Sequence, residues 1–462
     1  MTDDRRWSRD WTKSRVLICG MARSGVAAAQ TLSRLGAELL LHDRRTPAEL
    51  PQSTQEALHA LRYADYLGRS PEEALDGADV LVVSPGLPLS LPYLEQARRR
   101  RLPIVGEIEL GYQLSAADFI AITGTNGKTT TTALTGEIFK AGGENTYVLG
   151  NIGDPLSAHA LETEIGDVVV LETAALQLDT IDRFHPFGSA VLNVTPDHLD
   201  RYGTMENYTA AKRRILENQG GLDYTLINGE DPVSRQLADY ARMRIGLHTG
   251  LVTLGPGERD GMSIADGWIV WRRGGDAQRV MRAADVCLPG RHNLQNALFA
   301  AGLALEYGIP ASRVAEVLAT FAGVEHRLET VATRNGVIYI NDSKGTNPDA
   351  TIKAVEAVTQ PTVLILGGFD KHADFAELFA SFRTVRQILV LGETKEKILE
   401  AAAAAGFSAV QPVADLEEAV REAARIAEPG DAVLLSPACA SWDMYASFEE
   451  RGRHFKSLVM AL

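Results

Sequence analysis

The sequence predicts an α/β protein of three domains: an N-terminal Rossmann-like domain, a central P-loop ATPase α/β domain with a small antiparallel insert, and a C-terminal Rossmann-like domain. Three observations lead to that expectation. Short apolar runs alternate with helical stretches along most of the chain, the pattern of parallel sheets buried on both faces. The segment from Phe119 to Gly143 reads as strand, glycine turn and helix, the context a phosphate loop requires. With 462 residues the chain exceeds one ordinary core, and at about 150 residues per domain it divides into three.

The opening third has strands at Arg15 to Cys19, Glu38 to Leu41 and Val80 to Val83, each rich in Val, Ile and Leu. A second unit begins near Glu107, with strands at Phe119 to Thr123, Asp167 to Leu171 and Ser189 to Val194. From Leu251 to Pro289 short runs are broken by Gly-Pro-Gly and Gly-Gly, which predicts the antiparallel insert. A helix follows at Asn293 to Tyr307. Alternation then returns, with strands at Val337 to Ile340, Thr362 to Leu366, Gln387 to Leu391 and Ala432 to Leu435, and a helix at Lys395 to Ala405. The expected domains are residues 1–106, 107–323 and 324–462.

Composition narrows the function classes. Apolar residues at 45% and charged residues at 23% describe a globular chain with cores to fill. A formal charge of -14 repels a long phosphate backbone, so nucleic acid is excluded as a partner, while one small anion can still be held in a local basic pocket. Cys19, Cys287 and Cys439 lie far apart without metal-ligand spacing, which fits a reducing compartment. Residues 1–15 are too polar for a signal peptide and no apolar run is long enough to span a bilayer. A cytoplasmic protein without membrane insertion is expected.

The segment Gly124-Thr-Asn-Gly-Lys-Thr-Thr130 carries the phosphate-loop chemistry. Main-chain N–H groups of Gly124, Thr125, Asn126 and Gly127 and the helix N-terminus supply partial positive charge. Lys128 reaches the outer phosphates, and the Thr129 hydroxyl is a Mg²⁺ ligand. Ile122 stands where the usual pattern has its first glycine, so the match is to a shorter variant. Glu172 ends an apolar strand at the carboxyl edge of the sheet, where such folds bind ligands. It is either a Mg²⁺ ligand or a solvated acid. Asp197 and His198 end the next strand at the same edge.

At the amino end, Gly20-Met-Ala-Arg-Ser-Gly25 opens a helix and Asp43 ends the second strand. Ala22 replaces the second glycine of a dinucleotide fingerprint, which disfavours NAD. Arg44 and Arg45 indicate an anion, so a nucleotide-like anchor without redox chemistry competes with a reading as surface arginines. Loops at Gly290 to Asn296, Asn341 to Asn347, Gly367 to Lys371 and Ser436 to Asp443 are dense in polar residues. Those of the third domain are expected to present Asp342, Lys344, Thr346 and Ser441 to one crevice.

Together T-G-T-N-G-K-T-T, N-I-G, N-V-T-P-D-H-L-D-R-Y, G-R-H-N-x-x-N-A, H-R-L-E, N-D-S-K-G-T-N-P, G-G-x-x-K and L-S-P-A-C-A-S-W-D resemble the Mur ligase family in collinear order over nearly the whole chain. Within it, N-D-S-K-x-T-N-P with S-P-A-C-A-S is similar to the member that adds D-glutamate to UDP-N-acetylmuramoyl-L-alanine in peptidoglycan precursor synthesis. The resemblance implies ATP and two Mg²⁺ ions as cofactors, and a monomer is expected. It assigns ATP to the loop Gly124 to Thr130 with Asn293, Asn296, Arg327 and Asp342. The metals fall to Thr129, Glu172, His198 and Lys212, the last being a carbamylated lysine in the family. D-Glutamate falls to Lys344, Thr346, Lys371, Ser441 and Phe448. The UDP-sugar falls to Arg23, Ser24, Arg45, Gly86 and Asn151.

Two departures stand out. Ala174 and Ala175 replace two serines usual between the metal-binding Glu172 and Gln177, and Arg23 and Arg44 make the amino end more basic. Folylpolyglutamate synthase shares the loop and also adds glutamate, but it lacks the domain that precedes the loop here. A nucleotide-dependent oxidoreductase is opposed by Ala22, and a bare regulatory NTPase would need no amino acid.

Overall fold

A computed structural model describes residues 10–257, 259–370 and 373–462. Among these residues the strands form three sheets, and contacts divide the chain into two compact units. One comprises residues 1–194, 203–283 and 298–317, the other residues 195–202, 284–297 and 318–462. No helix among the described residues is long and apolar enough to cross a membrane.

In the first unit, the leading sheet holds β1 (Arg15–Cys19), β2 (Glu38–His42), β3 (Tyr63–Asp65), β4 (Val80–Val83) and β5 (Ile104–Gly106). Its order is β3-β2-β1-β4-β5, parallel throughout. The sheet reverses direction of winding at β1 and β4, and ligand crevices of open α/β sheets form at such a switch point. Val16, Leu17, Ile18 and Val80 to Val83 are buried, as their continuous apolar runs require of central strands.

The second sheet of this unit contains β6 (Asp118–Thr123), β7 (Thr146–Gly150), β8 (Val168–Glu172), β9 (Gly188–Val191), β10 (Tyr224–Asn228), β11 (His248–Val252), β12 (Gly261–Ala265), β13 (Trp268–Arg273) and β14 (Asp276–Arg282). The order is β14-β13-β12-β11-β10-β9-β6-β8-β7. The insert expected after Leu251 is antiparallel only over β12 to β14. It does not stand apart, because β12 pairs in parallel with β11 and the hairpin extends the central sheet. β9 is shorter than expected, since Asn193 turns to bond the phosphate loop and Val194 N–H donates to Asp231.

The second unit carries β15 (Glu329–Arg334), β16 (Val337–Asn341), β17 (Thr362–Gly367), β18 (Val385–Leu391), β19 (Val410–Pro412) and β20 (Ala432–Leu435) in the order β15-β16-β20-β17-β18-β19. Only the edge strand β15 is antiparallel to its neighbour. Apolar clusters lie on both faces of this sheet, so the loops after β16, β17 and β20 share one carboxyl edge.

Candidate active site

The phosphate loop follows β6 and opens the helix Lys128–Gly142. Gly127 has φ 85°, a left-handed conformation that glycine takes without steric cost. At Gly124 a Cβ would come within 2.9 Å of Leu192 Cβ, so the loop lies against the end of β9. Asn193 holds it there. Its Nδ2 donates to the Asn126 carbonyl at 3.0 Å, its Oδ1 accepts from Asn126 N–H at 2.8 Å, and its carbonyl accepts from Thr125 N–H at 3.0 Å. Lys128 Nζ donates to the carbonyls of Gly124 and Thr125 at 2.8 and 2.7 Å, which folds its cation over the loop. Thr129 and Thr130 are buried beneath it.

Glu172 is the last residue of β8 and 0% exposed, which removes the reading as a solvated acid. Asn151 Nδ2 donates to Glu172 Oε1 at 2.8 Å, and Asn151 N–H donates to the Glu172 carbonyl at 3.0 Å. The buried carboxylate and the Thr129 hydroxyl are hard oxygen donors of the kind Mg²⁺ takes. Lys212, which the sequence alone reads as solvated, is 1% exposed. It lies on the buried face of the helix Met205–Arg213, with Nζ 4.5 Å from the centre of the Tyr208 ring. The Tyr208 hydroxyl reaches Thr125 Oγ1 at 3.4 Å.

A cavity of about 1000 Å³ opens over the switch point of the first sheet. Arg23, Ser24, Arg45, Gly86 and Asn151 all line it, as does Ala174. Arg45 forms a two-pronged pair with Asp43, Nε to Oδ1 and Nη2 to Oδ2 both at 2.9 Å, and Met21 N–H donates to Asp43 Oδ2 at 2.8 Å. Burial opposes the Asp43 charge, but these donors outweigh it and hold its carboxyl at about 2. The arginine expected to meet an anion is thus anchored by an internal carboxylate. Arg23 donates to the Gly153 carbonyl.

In the second unit, Asn293 and Asn296 are buried in the first turns of the helix Arg291–Tyr307. Asn296 Nδ2 donates to Asn293 Oδ1 at 3.3 Å, and Asn293 Nδ2 donates to the Pro289 carbonyl at 2.8 Å. Asp342 follows β16 and is fully buried. Ser436 Oγ donates to its Oδ2 at 2.7 Å, Leu328 N–H donates to its Oδ1 at 3.2 Å, and Arg327 Nη1 lies 3.7 Å from Oδ1. Burial pushes its carboxyl up to about 6 against the pull of Arg327.

Lys344 Nζ lies 5.0 Å from the centre of the Phe448 ring. Ser441 is buried, and its Oγ has no hydrogen-bond partner among the described residues. Lys371 lies outside the described residues. Thr346 and His198 border a cavity of about 410 Å³ whose walls also include Asn347, Phe369 and Cys439. Glu325, His326 and Glu329 cluster tightly enough to suggest a metal, but Lys456 Nζ donates to Glu325 at 2.9 Å and also to Glu329, supplying the positive charge itself.

Two residues that organise these loops were not singled out by sequence reasoning. Asn193 stood within the quoted N-V-T-P-D-H run, so its signal was present but its role was not. Arg451 gave no signal: an arginine in a polar helix reads as surface. It is 1% exposed. Its Nε donates to Ser343 Oγ at 3.0 Å, its Nη2 to the Ser343 carbonyl at 2.8 Å, and its Nη1 to the carbonyls of Cys439 and Ala440 at 3.2 and 3.3 Å. One guanidinium thereby fastens the loop after β16 to the loop after β20.

A largely parallel sheet with a phosphate loop and a buried strand-end carboxylate, in a chain with two further α/β sheets, defines an α/β nucleotide-binding protein of the P-loop type. Comparison with known families makes the class specific. Residues 14–106 match the Mur ligase MurD-like N-terminal domain, residues 122–304 the Mur ligase middle domain and residues 326–439 the Mur ligase glutamate ligase domain. The chain belongs to the Mur ligase family.

Among its relatives, the UDP-N-acetylmuramoylalanine–D-glutamate ligase of Pelotomaculum thermopropionicum is 45% identical over 98% of this chain and 99% of that protein. The enzyme of the same name from Alkaliphilus oremlandii is 44% identical over 97% and 98%. Among solved structures, the UDP-N-acetylmuramate-alanine ligase of Thermotoga maritima superposes with a TM-score of 0.60 at 18% identity, covering 97% of this chain and 100% of that one. A pseudomurein peptide ligase type C from Methanothermus fervidus gives 0.58 at 16%, covering 97% and 100%. These two share the fold.

Proposed function

We propose that this protein joins D-glutamate to UDP-N-acetylmuramoyl-L-alanine with hydrolysis of ATP to ADP and phosphate, a step of peptidoglycan precursor synthesis. The observation that carries the reading is the double position of Asn151, which lines the large cavity over the first sheet and donates to Glu172 at the edge of the second. A sugar nucleotide seated in that cavity would be directed toward the phosphate loop. Near-full-length identity to ligases of that name adds the amino acid.

In this reading the terminal carboxylate of the UDP-sugar-alanine attacks the γ-phosphate, forming an acyl phosphate and releasing ADP. The D-glutamate amine then attacks the acyl carbon, the amide bond forms, the amine gives up its proton, and phosphate leaves. No protein nucleophile takes part, so the chain contributes position and charge. Lys128 and the helix N-terminus behind the loop hold the phosphates. Thr129, Glu172, His198 and a carbamylated Lys212 would hold two Mg²⁺ ions, which would supply positive charge to neutralise the transferring phosphoryl group. Carbamylation turns the buried Lys212 cation into an anionic oxygen ligand. Asn293, Asn296, Arg327 and Asp342 would hold the nucleotide. Lys344, Thr346, Lys371, Ser441 and Phe448 would hold D-glutamate, the buried Ser441 hydroxyl being available as a donor.

Arg23, Ser24, Arg45 and Gly86 would hold the UDP-sugar with Asn151. The domains are taken as residues 1–106, 107–323 and 324–462, working as a monomer in the cytoplasm, where ATP and the soluble precursor meet. The test is phosphate release with ATP, Mg²⁺ and UDP-N-acetylmuramoyl-L-alanine, adding each amino acid in turn. Release specific to D-glutamate is expected; release that ignores the amino acid would refute the reading.

A further inference from the structure

His198 occupies an uncommon backbone conformation. Its φ is 54°, in the left-handed region where Cβ crowds the backbone, rare for residues other than glycine although histidine enters it more readily than most. Its neighbours hold it there. Asp197 is the first restraint: its Oδ1 accepts from His198 N–H at 2.9 Å, and its Oδ2 lies 3.8 Å from His198 Nε2. The His198 carbonyl in turn accepts from Arg201 and Tyr202 N–H groups at 3.1 and 3.0 Å, starting the short helix that follows.

Asp197 is itself held from another part of the same unit. Asn347 Nδ2 donates to Asp197 Oδ2 at 3.2 Å. The other end of that amide is committed, because Asn347 Oδ1 accepts from Ala350 N–H at 2.8 Å and caps the helix Pro348–Ala357. An amide whose oxygen must face a helix N–H presents its nitrogen outward, so the cap dictates the donor that meets Asp197. A second tie runs from Thr195 Oγ1, two residues before Asp197, to Asp349 Oδ2, two residues beyond Asn347, at 3.0 Å.

We propose that Asn347 is a positioning residue that sets the orientation of His198 through Asp197, so that the first turn of the helix Pro348–Ala357 and the aim of the imidazole are governed by one side chain. The inference rests on the reading of His198 as a ligand of the catalytic metal. Groups that orient a ligating histidine commonly alter metal affinity or activity by about 10- to 100-fold when removed.

The test uses the full chain and a reversal of polarity. Asn347→Asp keeps an oxygen for the helix cap but sets a carboxylate against Asp197. Asp197→Asn added to it restores a donor and an acceptor with their direction exchanged. In the metal-free protein, Asn347→Asp is expected to shift the His198 imidazole resonances in NMR spectra, and the double variant to return them. With substrates, the Mg²⁺ concentration for half-maximal phosphate release should rise about tenfold in the single variant and recover in the double. Asn347→Ser, which keeps a capping oxygen and loses the amide donor that reaches Asp197, should move both readouts the same way and serves if the double variant does not fold.

Unchanged His198 resonances in Asn347→Asp and Asn347→Ser, or a foldable double variant as impaired as the single, overturn the proposal. If the unaltered protein shows no D-glutamate-dependent phosphate release, the functional reading fails, and the resonances of the metal-free protein alone then decide the positioning.

Discussion

Asn193 and Asn126 exchange two hydrogen bonds, side-chain amide to carbonyl at 3.0 Å and main-chain N–H to side-chain oxygen at 2.8 Å, so the end of one strand grips the middle of the phosphate loop. Replacing Asn193 by alanine leaves both loop groups without these partners, a change worth about 1–3 kcal/mol for groups that stay partly buried. The expected result is a tenfold or greater rise in KM for ATP with a smaller change for the amino acid. An unaltered KM for ATP would show that the loop keeps its shape without this grip.

Lys128 should separate the two cofactor-sized tasks of the first unit. Its Nζ sits over the loop carbonyls, whereas the large cavity is lined by other residues. Lys128→Ala is expected to abolish phosphate release while calorimetry still finds nearly normal binding of the UDP-substrate. Loss of both would mean that the cavity is assigned to the wrong ligand.

Arg451 should be far less tolerant than a helical arginine usually is. Removing its fork uncovers the buried carbonyls of Ser343, Cys439 and Ala440, and breaking such a buried charged network costs about 3–5 kcal/mol. Arg451→Met is predicted to lower the unfolding free energy obtained from urea titration by that amount. Arg451→Lys should recover little, because one ammonium cannot reproduce the planar set of donors. Full stability of the lysine variant would refute the fastening role.

Asp342 makes stability depend on pH in a stated direction. Its carboxyl is raised from 3.8 to about 6 by burial, so between those values the folded chain holds a proton that the unfolded chain has released. Raising the pH through this window therefore costs stability, on the order of 3 kcal/mol once above it. Asp342→Asn, which still accepts from Leu328 N–H, should flatten thermal stability measured from pH 4 to pH 6.5 relative to the unaltered protein. The same slope in both proteins would count against a buried, raised carboxyl.

The strands legible in the sequence are those buried on both faces. Arg15 to Cys19 and Val80 to Val83 agree with β1 and β4, and Ala432 to Leu435 with β20, since a central parallel strand has no solvent side to interrupt its apolar run. The edge strands β3 and β19 were missed: Tyr63–Asp65 and Val410–Pro412 are three residues each and largely open to solvent, too short and too polar to carry a period. β10 was missed although buried, because Tyr224, Thr225 and Asn228 hide among polar letters. Their polar atoms find internal partners such as the Leu303 carbonyl, Ser189 and the Leu192 carbonyl.

By itself the sequence determined the three-part α/β architecture, the phosphate loop and the collinear motifs of the Mur ligase family. Each of these is written in local spacing: apolar period, glycine at a turn, lysine and threonine at a helix start. Tertiary structure alone decided that Lys212 is buried rather than solvated, that Glu172 is fully enclosed and held by Asn151, and that Arg451 ties two distant loops. Burial of a charge is a property of what packs around it, contributed here by segments remote in the chain. No local pattern of residues encodes it.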